Sequence, residues 1–157
     1  MEIHEVEKWV WTEADFEAMG WHDSRVHAMA FFPDEFEVAF DIDYILQWVH
    51  PKGDEKYFKF WVAPATLVFD NIYELVFDMG PYGGELDILD IKREEGRPPR
   101  NAQYIGKDME WLWIIECAQG EIKFRSVGYK QYLRTAPVFG SQVLKPRKLS
   151  FARERTD

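Results

Sequence analysis

The chain has 157 residues, the usual size of one domain, and carries a net charge of −9 with a single cysteine. One cysteine excludes an intramolecular disulfide, and the lack of any apolar run near about 18 residues argues against a membrane-spanning helix. The first residues lack the basic start and apolar centre of a signal peptide, so we expect a cytoplasmic protein.

Charge is distributed unevenly along the chain. Residues 1–78 hold 17 acidic and 5 basic side chains, a balance of −12, whereas residues 79–157 hold 11 acidic and 14 basic side chains, a balance of +3. An acidic half repels phosphates and disfavours nucleic acid as a partner. It favours a basic protein surface as a partner, although solubility alone is a sufficient reason for such a charge.

One helix is predicted near the N-terminus, over residues 12–20. Thr12 can cap it, acidic residues fill its first turn, and Gly20 can end it in a left-handed conformation. A strand is predicted over residues 26–31. Residues 35–49 predict a long, bent strand with one buried face, because every even position from 36 to 48 is apolar.

The rest of the chain predicts short strands separated by turns. Pro64 is expected to break or bulge its strand. Glycines and prolines predict a long loop over residues 94–108, and a hairpin of residues 111–117 and 121–127 follows. Residues 129–134 either extend the second arm of that hairpin or start a new strand.

Turns about every ten residues predict a mainly β fold of about eight to ten antiparallel strands, either a sandwich or a partly open barrel. We expect a single domain over residues 1–157, with its β core at residues 24–135. A basic tail occupies residues 137–157.

Several motifs run through most of the chain. They are Trp21-His-Asp23 with Val26-His27, Phe40-Asp-Ile-Asp-Tyr-Ile45 with Trp48 and Pro51, Phe60-Trp61, Pro64-Ala-Thr-Leu67 with Phe69, Asp90-Ile91 with Arg93, Gly128-Tyr129 with Gln131, and Ser150-Phe151. Together, over about residues 20–151, the chain resembles a family of small bacterial proteins with no established activity. The helix at residues 12–20 is an addition to that pattern, and the paired glycines expected before Ser150 are missing. The resemblance implies a bacterial origin and assigns no catalytic residue.

A polar cluster is the first candidate site. Its members are His22, Asp23, His27, Asp41, Asp43 and His50. Histidine and carboxylate side chains bind metals and form acid–base pairs, and strand alternation places Asp41 and Asp43 on one face. The alternative is a solvated strand face, and no compact metal-ligand motif is present. We therefore assign no metal, cofactor or catalytic residue.

Two further sets of side chains are candidates. The first set is aromatic: Trp48, Trp61, Trp111, Trp113, Tyr129 and Tyr132. These side chains could line a ligand pocket or form the core, and the core is the simpler interpretation for Trp111 and Trp113. The basic side chains of residues 123–134 and of the tail could pair with the acidic half, within one molecule or in a homodimer. Cys117 is read as a small buried hydrophobic residue.

These patterns favour a non-catalytic binding module for a basic protein, of the kind that neutralises a toxin as an immunity protein. Its carboxylates Glu35, Glu37, Asp41 and Asp43 would face the partner. The predicted binding residues are His22, Asp23, His27, Glu37, Asp41, Asp43, Trp48 and Trp61. The alternative is a barrel that binds a small molecule or metal, or a hydrolase that uses the His/Asp cluster.

Overall fold

The computed structural model describes residues 5–156 and consists of two packed antiparallel sheets. The strands are β1 (Val10–Thr12), β2 (Val26–Phe32), β3 (Glu37–Val49), β4 (Lys59–Asp70), β5 (Tyr73–Met79), β6 (Ile88–Arg97), β7 (Glu110–Cys117), β8 (Gly120–Ser126), β9 (Gly128–Leu133) and β10 (Val138–Gly140). The first sheet has the order β1-β9-β4-β3-β2 with β10 paired to β4, and the second has the order β5-β8-β7-β6. The predicted antiparallel β class is confirmed. Residues 5–156 form a sandwich rather than a closed barrel.

The edge strand β2 joins the two sheets at one end. Arg25 bridges to Asp87 just before β6, and the Val26 N–H donates to the Leu86 carbonyl at 2.8 Å. At the other end of β2, the Phe31 ring lies 6.5 Å from the ring of Phe77 in β5. Strand β2 therefore runs along one end of the second sheet, from β6 to β5.

Strand β3 confirms the predicted long, bent strand. It pairs with β4 over nearly its full length, with a register shift between Ile45 and Gln47. Its even positions from Val38 to Tyr44 face the second sheet and are buried. The expectation of one buried face is wrong, because Ala39, Asp41, Asp43 and Ile45 on the other face are also buried.

The C-terminal tail covers that second face. Leu144 packs against a small apolar cluster of Ile45, Phe60 and Val62. The Phe151 ring lies 6.3 Å from the Phe32 ring, and the Thr156 N–H donates to the Arg134 carbonyl at 2.7 Å. The tail thus forms a third layer over the first sheet.

Aromatic side chains fill the space between the sheets. Trp113 is fully buried, and its ring centroid lies 5.3 Å from that of Phe69 and 5.6 Å from that of Tyr129. The indole N–H of Trp113 donates to the Ser126 carbonyl at 3.0 Å, which satisfies the one polar atom of this side chain. Trp113 and Tyr129 are therefore core residues. Cys117 is buried as expected, and burial raises the pKa of its thiol to about 11.

The predicted N-terminal helix is a 3-10 helix over Glu13–Ala18. Thr12 caps it, and its hydroxyl accepts from the Ala14 N–H while the Asp15 carboxylate accepts from the Thr12 N–H. The predicted left-handed end at Gly20 is wrong, because the helix ends at Met19 in an extended conformation.

Two predictions are wrong, at Pro64 and in the loop over residues 94–108, and the structure selects one of the two alternatives for residues 129–134, a new strand. Strand β4 runs unbroken through Pro64. The pairing of β4 with β9 ends one residue away, at Ala65 with Leu133, so the N–H that proline lacks interrupts no ladder hydrogen bond. The predicted loop at 94–108 contains the end of β6 and a short α-helix, α1 (Ala102–Ile105). Strand β9 leaves the β7–β8 hairpin for the first sheet.

Positions 1–4 and 157 of the predicted domain lie outside the described residues. Within residues 5–156, no helix is both long and apolar enough to cross a bilayer.

Candidate functional site

A buried ionic network joins β3 to the tail. Asp41 and Asp43 are both fully buried, and they sit side by side on the outer face of β3. Arg147 spans them: its Nε donates to Asp43 at 2.9 Å and its terminal nitrogens donate to Asp41. Arg134 also donates to Asp41, at 2.8 Å. Such a network is destabilising to break, since removing one partner leaves an uncompensated buried charge.

The remaining carboxylate lone pairs of this network are also used. The Ser150 N–H donates to Asp41 at 2.9 Å, the Leu144 N–H donates to Asp43 at 3.1 Å, and Nε2 of His27 lies 2.7 Å from Asp43. The expectation of a solvated face at Asp41 and Asp43 is therefore wrong. The alternative, that the basic tail meets the acidic half inside the molecule, is confirmed.

The other predicted site residues lie outside this network. His22 stacks on Trp48 with ring centroids 5.9 Å apart, and its Nε2 is 3.7 Å from the Asp23 carboxylate. Trp61 packs against Phe139 at 5.1 Å. The structure thus joins His27 to Asp43, and joins His22, Asp23 and Trp48 to one another, but forms no single cluster. His50 contacts Phe58, whose ring also packs against Trp48 at 5.7 Å. Among residues 5–156, no three His, Cys, Asp or Glu side chains are grouped to hold a metal.

Glu37 and Asp70 form a pair of carboxyl groups beside the tail. Arg153 donates to both oxygens of Glu37, and this contact keeps the pKa of Glu37 below its usual range. Burial raises the pKa of Asp70 to about 6, and the neighbouring Glu37 adds to that rise. At neutral pH both groups are ionised, and their repulsion is offset in part by Arg153 and Lys130.

Asp70 is expected to make stability fall as pH rises. A carboxyl group with a raised pKa contributes stability that is present below its unfolded pKa and is lost as pH passes through about 6. Glu37, whose pKa is lowered, acts in the opposite direction, because its contribution to stability is lost as pH falls. We expect Asp70→Asn to flatten the curve of unfolding free energy between about pH 4 and 6, the interval between the usual pKa of 3.8 and the raised value of about 6. Urea unfolding at several pH values measures this, with the exposed Asp54→Asn as control. Parallel curves for wild type and Asp70→Asn would contradict the assignment.

An exposed aromatic surface lies where β2 meets β5. We call it the edge surface and define it by Phe31, Phe36 and Phe77 with the carboxylates of Asp34, Glu35 and Asp78. The three aromatic side chains are 54%, 65% and 51% exposed. The Phe36 carbonyl accepts from the Ile72 N–H at 2.9 Å, which ties the β2–β3 turn to the segment that leads into β5.

Phe36 holds a strained backbone conformation. Its φ of 57° and ψ of 40° are left-handed, which is uncommon for a bulky residue. The alternating pattern of β3 assigned Phe36 to the buried face, and this is wrong because the residue lies in the turn before the strand. Residues in sparsely populated backbone conformations cluster at functional sites. Glu35, next to Phe36, was among the carboxylates predicted to face a partner, whereas Asp34 and Phe36 itself were not among the predicted site residues.

The carboxylates of the edge surface are not neutralised by their surroundings. Within residues 5–156, Asp34, Glu35 and Asp78 form no ion pair, in contrast to Glu37, Asp41 and Asp43. An apolar centre with a charged rim is the usual organisation of a protein-binding surface. Comparison of the chain with protein-family models, with curated proteins and with solved structures found no match.

Proposed function

We propose that the chain is a non-catalytic, cytoplasmic binding module for a basic protein partner, in the manner of a bacterial immunity protein. The observation that carries the proposal is the edge surface: the exposed Phe31–Phe77 ring pair and the exposed turn residue Phe36, with three carboxylates that lie within two residues of them in sequence and form no ion pair within residues 5–156. Aromatic side chains, including Phe, are enriched in protein interfaces, and rim charges select and steer the partner. The net charge of −9 acts in the same direction.

The edge surface shares only Glu35 with the carboxylates that the sequence suggested as partner contacts. Asp41 and Asp43 are occupied by Arg147 and Arg134, and Glu37 by Arg153. Of that first set, only Glu35 is exposed. A partner at the edge surface would therefore meet acidic groups without displacing the tail.

Co-expression with the products of the flanking genes tests the proposal. We expect a basic product of one of these genes to co-purify with the chain and to bind in calorimetry more tightly than hen lysozyme, which serves as a generic basic protein. If no flanking product binds more tightly than lysozyme, the immunity-type function is wrong.

Charge reversal then tests the surface. We expect the triple variant Asp34→Lys, Glu35→Lys and Asp78→Lys to weaken binding at least about 10-fold, since like charges across an interface cost several kcal/mol. The control triple Asp54→Lys, Glu94→Lys and Asp108→Lys changes the net charge equally at exposed sites elsewhere. It should weaken binding less than about 3-fold, because salt screens distant charges. Equal effects of the two triples would show that net charge, and not the edge surface, attracts the partner.

A further inference from the structure

A cleft of about 850 Å³ lies between the start of β4, strand β10 and residues 141–145 of the tail. This size falls within the range of small-molecule sites. Its apolar walls include Phe58, Val138 and Phe139, which are 40%, 54% and 43% exposed, together with the buried Phe60. We call it the tail cleft. Three large apolar side chains are thus left open to water around one concavity.

A second concavity of about 440 Å³ adjoins the tail cleft. The two share Val138, Leu144 and Lys145 in their walls. The second concavity is lined by the cationic residues Arg134, Lys145, Arg147 and Lys148, and no described carboxylate lines it. In a chain with a net charge of −9, this is a local excess of positive charge.

Most of the cationic side chains that line the two concavities already have ion-pair partners. Arg134 and Arg147 bind Asp41 and Asp43, as described above. In the tail cleft, Lys59 pairs with Glu55 at 2.7 Å. Arg25 pairs with Asp87 at 2.6 Å and with Glu85, the carboxylate that lines the cleft, at 3.5 Å.

Lys145 and Lys148 differ from them, because both are exposed and form no ion pair with any residue from 5 to 156. Lys145 lies where the two concavities meet. Its ammonium group is therefore the one available to an anion at the end of the apolar cleft.

We propose that the tail cleft binds an amphiphilic organic anion, a small molecule with an aromatic or aliphatic body and one carboxylate or sulfonate group. The body lies against Phe58, Val138 and Phe139, and the anionic group pairs with Lys145. This site is separate from the edge surface and does not depend on the proposed protein partner. Its apolar walls come from the start of β4, from β10 and from the tail, with Arg25 and Glu85 at its border, whereas the aromatic rings of the edge surface lie in β2, in the turn after it and in β5.

The probe is 8-anilinonaphthalene-1-sulfonate, titrated into the full chain with fluorescence detection. We expect saturable binding, weakened about 2- to 5-fold by Lys145→Ala and retained in Lys145→Arg, because an exposed ion pair contributes up to about 1 kcal/mol. Phe139→Ala should weaken binding as well. The neutral analogue N-phenyl-1-naphthylamine should bind wild type and Lys145→Ala equally. Lys107→Ala, an exposed lysine in the loop before β7, is the matched control and should have no effect.

The edge surface is the main competing site for such a dye, since it also exposes aromatic rings. The double variant Phe31→Ser and Phe77→Ser removes two of those rings. Dye binding that survives this double variant and is weakened by Lys145→Ala supports the tail cleft. Dye binding that is lost in the double variant, or is unchanged in both Lys145→Ala and Phe139→Ala, overturns the inference. Circular dichroism on each variant confirms that it is folded before its titration is read.

Discussion

Replacing Arg147 with methionine is expected to lower the free energy of unfolding by about 3–5 kcal/mol, the cost of leaving a buried charge unpaired. Arg147 is the side chain that contacts both Asp41 and Asp43, and the two carboxylates are fully buried. Without Arg147, the remaining side-chain partners of the two buried aspartates are Arg134 and His27. The substitution also removes the side chain through which the tail pairs with both aspartates, while the backbone donors Leu144 and Ser150 still contact the two carboxylates.

Urea unfolding measures this loss. Arg100→Met is the matched control, because Arg100 pairs with Glu74 on the surface, with the two side chains 74% and 52% exposed. Exposed pairs contribute at most about 1 kcal/mol, so the control should change stability little. Adding Asp43→Asn to Arg147→Met should recover part of the loss, since the double variant has one fewer unpaired charge. Equal losses in Arg147→Met and Arg100→Met would show that the network does not hold the tail.

Replacing Trp113 with alanine is expected to cost about 3–5 kcal/mol, the range for a large aromatic side chain removed from a core. The Trp113 ring packs between the sheets, against Phe69, Phe16 and Tyr129. Its removal leaves a cavity lined by rings that cannot collapse freely. It also removes the donor to the Ser126 carbonyl.

Thermal and urea unfolding of Trp113→Ala and Trp113→Phe measure this effect. Trp113→Phe retains much of the volume and should lose less than the alanine variant. Trp48→Ala is the control, because Trp48 is 38% exposed and should lose about 1 kcal/mol. A similar loss at positions 48 and 113 would contradict the placement of Trp113 at the centre of the core.

Part of the candidate sites could be predicted from the sequence. Asp41 and Asp43 were correctly placed on one face of a long strand, because side chains alternate every two residues. Their partners could not be predicted: Arg147 follows Asp43 by 104 residues, and no local pattern reports a contact at that separation. Phe36 was assigned to the buried face because it continues the alternating apolar pattern of β3. Its left-handed backbone conformation places it instead in the turn before the strand, where its side chain is exposed.

The sequence by itself determined the antiparallel β class, the long strand of β3 and the hairpin of β7 and β8, because local alternation and turn residues encode them. The tertiary structure alone decided that the sheets form a sandwich, that β9 joins the first sheet, and that the tail covers Asp41 and Asp43. These features depend on pairing between distant segments, whose register is set by burial over the whole molecule. For the same reason, the edge surface and the tail cleft emerged only once β2 and β5, and β4 and the tail, were brought together.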